Sequence, residues 1–239
     1  MTVDKSEARV RRMFGQIAER YDLLNHLLSL NVDRYWRWRT VRKVPLRGDA
    51  PVLDVCTGTG DLALAYLKRS GGRVPIVGTD FCHPMLAIAQ DKGSRNDAQR
   101  QIAWVEADAQ RLPFPAERFQ IVCVAFGLRN VTDTDRGLAE MVRVCTPGGT
   151  VAVLEFSMPR WQPFRSIYGA YFRYVLPRIG GLLARNREEA YNYLPASVGE
   201  FPQGAALAQK MQRAGLEPVR WHPFTLGVAT LYLGTKPEA

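Results

Sequence analysis

The sequence predicts an α/β chain: a central, mostly parallel sheet with helices on both faces and an antiparallel hairpin at the C-terminus. Three observations carry this prediction. Apolar runs of strand length at 51–56, 74–80, 101–106 and 118–126 alternate with stretches of helical periodicity, the pattern of βαβ units. The first run ends in a turn holding two glycines, Val52-Leu53-Asp54-Val55-Cys56-Thr57-Gly58-Thr59-Gly60-Asp61-Leu62. A helix-compatible segment follows at once, as where a parallel strand delivers a ligand-binding loop. Two closing runs, 217–223 and 227–235, lie a short turn apart and are expected to pair.

From the N-terminus, Val10, Met13, Phe14, Ile17 and Tyr21 recur at three- and four-residue spacing, so an amphipathic helix begins near Ser6. A second helix carries Tyr35, Trp36 and Trp38 through Val44. Further helices are expected over 60–70, 84–92, 133–145 and 203–214, with one more strand over 149–156. Pro159 and Pro163 mark a turn region, after which Tyr168, Tyr171, Phe172 and Tyr174 belong to an aromatic segment that continues to Leu183. The chain, 1–239, reads as one domain. Its parts are an N-terminal helical lid at 1–48, a cofactor-binding core at 49–159, a substrate- or membrane-facing helical insertion at 160–202, and a C-terminal helix and hairpin at 203–239.

No low-complexity run or repeat interrupts the periodicity, no cleavable signal pattern opens the chain, and no apolar run reaches membrane-spanning length. A cytoplasmic protein is expected. Cys56, Cys82, Cys123 and Cys145 lack C-x-x-C pairing and His partners at ligand spacing. Neither a metal site nor a disulfide framework is expected, and the thiols read as reduced and mostly buried. The net charge of +9 is uneven, with +6 in 1–48, +6 in 160–187 and a slightly acidic 49–159. The segment 160–187, with six arginines and no acid, has two readings. It is a helix with a solvated basic face, or it rests peripherally on an anionic membrane surface, where each nearby arginine contributes about 1 kcal/mol.

Glycine has no Cβ, so Gly58 and Gly60 accept positive φ and bring backbone N–H groups against a ligand. The glycines alone do not say which ligand. Gly58-Thr59-Gly60-Asp61-Leu62-Ala63 meets a relaxed dinucleotide pattern, and Asp80 lies about 20 residues on, where a ribose-binding acid belongs. Asp54, four positions before Gly58, points instead to enzymes that use S-adenosylmethionine. A βα turn with no ligand is the remaining reading.

Six further pieces carry a resemblance: Tyr21-Asp22-x-x-Asn25-x-x-x-Ser29 with Trp36 following, Asp54-Val-Cys-Thr-Gly-Thr-Gly-Asp61, Phe126-Gly-Leu-Arg-Asn130-Val, Pro147-Gly148-Gly149 leading to Glu155-x-Ser157, Tyr193-Leu-Pro-x-Ser197, and Thr225-x-Gly227-x-Ala229-x-Leu-Tyr232. Over nearly its whole length the chain resembles the menaquinone/ubiquinone biosynthesis C-methyltransferase family, within the Rossmann-like class I S-adenosylmethionine-dependent methyltransferases. It departs from that family's usual Met, Gly and His at Leu24, Asn31 and Asp33, and from a usual Lys at Thr146. Asn31 can occupy the left-handed region a glycine would. Asp33 lacks a histidine's titratable donor and is assigned no catalytic role.

The resemblance implies S-adenosylmethionine as cofactor, with Gly58, Thr59 and Gly60 around its methionyl moiety and Asp54 near its amino group; otherwise Asp54 braces the loop. Asp80 offers two side-by-side acceptors to the ribose hydroxyls, or else caps the helix that starts near Pro84. Asp108 and the Ala109 N–H are implied to hold adenine, and Ala125 to line the cofactor through its backbone. A solvated turn is the alternative for Asp108.

The implied substrate is a prenylated quinol, demethylmenaquinol first, with a ubiquinone-pathway benzoquinol as the alternative. The implied reaction is in-line methyl transfer to a ring carbon activated by a neighbouring phenolate. Arg129, with Asn130 and a water, would stabilise that phenolate; alternatively Arg129 pairs at the surface with Asp133 or Asp135. Tyr21 and Asn25 on the lid, with Tyr193 and Ser197 opposite, meet the quinol head group or serve as packing. His26, His83 and His222 read as structural. An RNA or DNA methyltransferase is the rival from another class. Gly127-Leu128-Arg129-Asn130 stands where enzymes acting on base amines carry Asn/Asp-Pro-Pro-aromatic, so nucleic acid is not an expected partner. A sensing protein without catalysis is a third reading, and association as a homodimer stays open.

Overall fold

Strands form wherever a short apolar run can be buried, and crossovers wherever helical periodicity follows. The computed structural model describes residues 4–95, 101–159, 161–171 and 188–238. Helices α1 (Glu7–Leu28) and α2 (Val32–Lys43) open it. There follow β1 (Val52–Val55), α3 (Asp61–Ser70), β2 (Ile76–Asp80), α4 (His83–Ser94), β3 (Ile102–Glu106), β4 (Phe119–Ala125), one 3-10 turn at Leu128–Asn130, α5 (Thr134–Val144) and β5 (Cys145–Phe156). The insertion holds α6 (Phe164–Ala170) and α7 (Glu188–Glu200); α8 (Ala205–Arg213), β6 (Val219–Phe224) and β7 (Ala229–Thr235) close the chain.

Seven strands make one sheet in the order β3-β2-β1-β4-β5-β7-β6. The first five are parallel neighbours, and β7 runs antiparallel to both β5 and β6. The expected hairpin forms, with β7 placed inside and β6 at the edge. β1 and β4 are the innermost strands and are buried almost throughout, which is why they read as unbroken apolar runs rather than alternating ones. One face of the sheet packs Trp36, Tyr66 and Leu62 from α2 and α3. The other packs Leu138 and Met141 of α5 with Leu207 and Met211 of α8. In β2, Gly78 is the register partner of Trp104 on β3. A Cβ at Gly78 would meet the indole at 2.6 Å, so glycine makes room for the largest side chain.

Most bounds fall within two residues of expectation, and the largest difference lies at the start of β5. The helix expected to end at 145 stops at Val144, and the strand expected from 149 starts at Cys145. Cys145 pairs with Phe119 on β4, and a register shift over Pro147-Gly148-Gly149 then brings Thr150 to Ile121. Arg160 and the stretch 172–187, with four of the insertion's arginines and the aromatic run from Phe172 to Leu183, lie outside the described residues. Among the described residues no helix is long and apolar enough to cross a membrane.

Candidate active site

The chain order reverses between β1 and β4, and the loops leaving their carboxyl ends build the site. After β1 the backbone passes through Cys56, Gly58 and Gly60 at φ 51°, 57° and 85°. Gly60 is the N-cap of α3, and a Cβ there would lie 2.6 Å from Trp104. Asp54 sits beneath this turn. Its carboxylate accepts from the Thr57 hydroxyl at 2.6 Å and from the Ala63 N–H at 3.1 Å, and burial lifts its pKa to about 7. The geometry is that of a brace between turn and helix, and Asp54 lines neither of the cavities described next. The Thr59 hydroxyl likewise turns away, donating to Asp22 of α1 at 2.5 Å.

Gly58, Asp80, Asp108, Ala109 and Ala125 converge on one slot at the sheet's carboxyl edge. Asp80 accepts the Gly58 N–H at 2.8 Å and the Cys82 N–H at 2.9 Å. Burial raises its pKa to about 6 against these lowering contacts. It thus joins the glycine loop to the start of α4, and a carboxylate's roughly four acceptor positions leave capacity facing the slot. Asp108 tightens its own turn by accepting the Gln110 N–H at 2.9 Å, and still lines the slot. At 109 and 125 alanines leave width for a flat ring.

Phe14, Tyr21 and Phe126 line both this slot and a second cavity of about 410 Å³. Phe126 stands at φ 59°, a conformation costly for a bulky residue. In return its ring lies 4.4 Å from that of Phe156 and 5.8 Å from that of Trp36. The second cavity is walled by apolar and aromatic side chains, with Asn25, Arg129 and Tyr193 among its few polar groups. The Tyr21 hydroxyl is hydrogen-bonded to Asn25, and burial raises its pKa.

Arg129 is buried. Its Nη1 pairs with Glu155 Oε2 at 3.1 Å and donates to the Phe126 carbonyl, and its guanidinium lies 5.3 Å from the Phe156 ring centre. Glu155, at the inner end of β5, also accepts the backbone N–H groups of Arg129 and Phe156, each at 3.1 Å. The surface alternative for Arg129 is overturned. Asp133 instead caps α5 by accepting the Arg136 N–H, and Asp135 pairs with Lys210 at 2.7 Å. Glu155 was not among the expected site residues. Its signal was an acid closing an otherwise apolar strand.

Among the described residues, Arg129 Nε, Asn130 Oδ1 and Tyr193 Oη are buried without a hydrogen-bond partner. Buried polar atoms are nearly always paired, so three such atoms at one site mark where a ligand's polar groups belong. Asn130 reaches the slot, and Arg129 and Tyr193 reach the cavity. Ser197 reaches neither; it is fully buried and its hydroxyl donates to the Leu194 carbonyl of its own helix at 3.0 Å.

A charged network ties α1 and α2 to α3 and α4. Lys92 of α4 pairs with Asp22 at 2.8 Å and with Asp61. Arg37 bridges Asp33 at 2.6 Å and Asp61 at 3.4 Å. Asp33 also contacts Ser29 at 2.7 Å and His26 at 2.9 Å. Burial pushes its pKa up, but Ser29 and Arg37 outweigh it and leave the group lowered. Ligand atoms of His26, Asp33 and Asp61 lie within 4.8 Å of one another, yet Arg37 already pairs with both acids and Lys92 with Asp61, so the cluster is an ion-pair latch.

A glycine turn after β1, acids at the end of β2 and beyond β3, and this strand order define a class I S-adenosylmethionine-dependent methyltransferase. The slot suits that cofactor: Asp80 keeps acceptor capacity for two hydroxyls, and Ala109 and Ala125 leave room for adenine. The chain belongs to the ubiE/COQ5 methyltransferase family, whose profile matches residues 1–236. It is 46% identical to a demethylmenaquinone methyltransferase of Deinococcus radiodurans, over 98% of this chain and 94% of that one. It is 45% identical to a ubiquinone/menaquinone biosynthesis C-methyltransferase of Geobacter sp., over 95% of this chain and 96% of that one. A Thermotoga maritima structure described as a possible histamine N-methyltransferase shares the fold at TM-score 0.65 and 17% identity, covering 95% of this chain and 99% of that one.

Proposed function

We propose that the enzyme methylates a ring carbon of a prenylated quinol, demethylmenaquinol to menaquinol, and that it meets this acceptor at an anionic membrane surface. One observation carries the reading. The Arg129 guanidinium and the Tyr193 hydroxyl stand without full hydrogen bonding in a mostly apolar and aromatic cavity that shares Phe14, Tyr21 and Phe126 with the cofactor slot. An aromatic diol with an apolar tail fills such a cavity: the hydroxyls meet the two polar groups and the rings meet the walls. A volume of about 410 Å³ is within the usual range for a small-molecule site.

S-adenosylmethionine supplies an electrophilic methyl group. Asp80, Asp108, the Ala109 N–H and Gly58 hold it, with the backbone of Ala125 alongside, and Asp54, Thr59 and Gly60 shape the turn that receives it. Arg129 holds the phenolate whose charge makes the neighbouring ring carbon nucleophilic, a role for which a guanidinium is suited because it stays protonated. As the ring carbon takes the methyl, the methyl–sulfur bond breaks to leave S-adenosylhomocysteine, and the ring carbon then gives its own proton to water and the ring is aromatic again. Glu155 keeps Arg129 in place. Asn130 polarises the water that takes the hydroxyl proton. Tyr21 and Asn25 close the cavity from the lid and exclude water, and Ser197 bonds within α7 without meeting the acceptor.

Lipid extracts of cells lacking the gene test this reading. Accumulated demethylmenaquinone, reversed by the wild-type gene, is the expected result. A demethylated benzoquinone alone would move the assignment to the ubiquinone branch, and an unchanged quinone pool would end it.

A further inference from the structure

Helix α2 has two faces. Through Val32, Asp33, Trp36 and Arg37 it walls the aromatic cavity. Its other side carries Arg34, Tyr35, Trp38, Arg39 and Arg42. Tyr35 and Trp38 are about half exposed and stack at 6.0 Å. Arg42 lies 4.3 Å over the Trp38 ring, and Arg39 lies 5.8 Å over that of Tyr35. Beside α2, the edge strand β6 turns Arg220 and His222 to the same side as Phe224, which packs under Arg39. The charged groups that act on His222, Lys43, Arg220 and Arg39, are all cations. Among the described residues, none of Arg34, Arg39, Arg42, Lys43 and Arg220 has a carboxylate partner.

Two leucines stand where this face meets the cavity. Leu30 is 80% exposed at φ 53° and lines the cavity. Leu226 is 63% exposed at φ 55°, next to Thr225, which lines the cavity and accepts the Trp36 indole N–H at 2.8 Å. Left-handed backbone is unfavourable for leucine, and exposure to water returns nothing for it. An apolar phase covering both side chains would.

Cations without acids, stacked Trp and Tyr rings, and outward leucines beside an apolar mouth match a lipid interface. Cations meet anionic headgroups, aromatic rings sit at headgroup level, and leucines reach the acyl boundary. We propose that the outer face of α2 and β6, ending at Leu30 and Leu226, docks on an anionic bilayer and sets the cavity mouth against its hydrocarbon. The biological sense of this rests on the prenylated acceptor proposed above, whereas docking is measurable without any acceptor. Single-stranded nucleic acid also favours arginines and stacked rings, but it has no use for leucines at the mouth of an apolar cavity.

The test is sedimentation of the full chain with phosphatidylcholine vesicles, with and without phosphatidylglycerol, at low and high salt. Binding is expected only with phosphatidylglycerol and is expected to fade with salt. Arg34→Gln/Arg42→Gln is expected to lose roughly fivefold per charge, about 25-fold in all. The control Arg118→Gln/Arg213→Gln, equal in net charge, is expected to bind as wild type, and thermal melting checks that both variants fold. An equal loss in the control, no wild-type binding, or retention of polyuridylate in place of vesicles would overturn the proposal. If vesicles bind through α2 and demethylmenaquinol is not methylated, the docking stands and the activity reading fails.

Discussion

Arg129 is fixed from three directions, by Glu155, the Phe126 carbonyl and the Phe156 ring, and that fixation determines how it must be tested. Arg129→Ala strands a buried Glu155, a loss of about 3–5 kcal/mol in folding. The paired variant Arg129→Met/Glu155→Gln removes both charges. It is expected to lower kcat about 10²- to 10³-fold, as for loss of an oxyanion donor, with the affinity for S-adenosylhomocysteine unchanged by calorimetry. Full turnover in that variant would remove Arg129 from the chemistry. Asp80 gives a prediction with a defined sign. Its pKa moves from 3.8 to about 6 on folding. The folded chain therefore holds a proton that the unfolded chain has released between these values, so ionising Asp80 costs stability as pH rises through about 6. Cofactor binding is expected to run the other way, because the ribose hydroxyls proposed to meet Asp80 would donate to its ionised carboxylate. Affinity for S-adenosylhomocysteine is expected to weaken as pH falls through about 6, and Asp80→Asn to bind weakly with that step absent.

The glycine turn, the acid ending β2 and the strand-helix alternation were legible in the sequence because each is a local pattern. What was not legible depends on where a side chain points or on a distant partner. Asp54 had two readings, beside the cofactor or bracing the loop, and only its hydrogen bonds to Thr57 and Ala63 show the brace; Ser197 closes a motif, yet bonds its own helix. The pairs Arg129–Glu155 and Asp22–Thr59 span 26 and 37 positions, and no periodicity encodes such meetings. At this scale α1, proposed above as a lid, is tied down by the contacts of Asp22 with Thr59 and Lys92. Asp22→Ala removes a partly exposed ion pair worth about 1 kcal/mol, so amide exchange in α1 is expected to quicken about fivefold while α3 stays unchanged. Equal protection in α1 would show that the latch does not hold the lid. Gly60→Ala combines positive φ with a Cβ 2.6 Å from Trp104 and 3.1 Å from Ala89. It is expected to cost about 1–3 kcal/mol by denaturant unfolding.

The molecule as a whole places two cavities back to back across the strand-order reversal. One is polar-edged and framed by backbone and carboxylates; the other is aromatic, with an arginine at its inner wall. Phe14, Tyr21 and Phe126 line both, so the path proposed for the transferred methyl is short. Burial of β1 and β4 on both faces fixes the loop that carries Phe126, helix α1 supplies Phe14 and Tyr21, and the strained Phe126 backbone is held by the rings packed against it. The most direct measurement incubates the purified enzyme with S-adenosylmethionine bearing a deuterated methyl group and with demethylmenaquinol, then examines the lipid by mass spectrometry. The expected product is menaquinol with the intact labelled methyl on the ring carbon. Label on oxygen, or none in the lipid while the cofactor binds normally, would contradict the claim that the aromatic cavity holds a quinol for C-methylation.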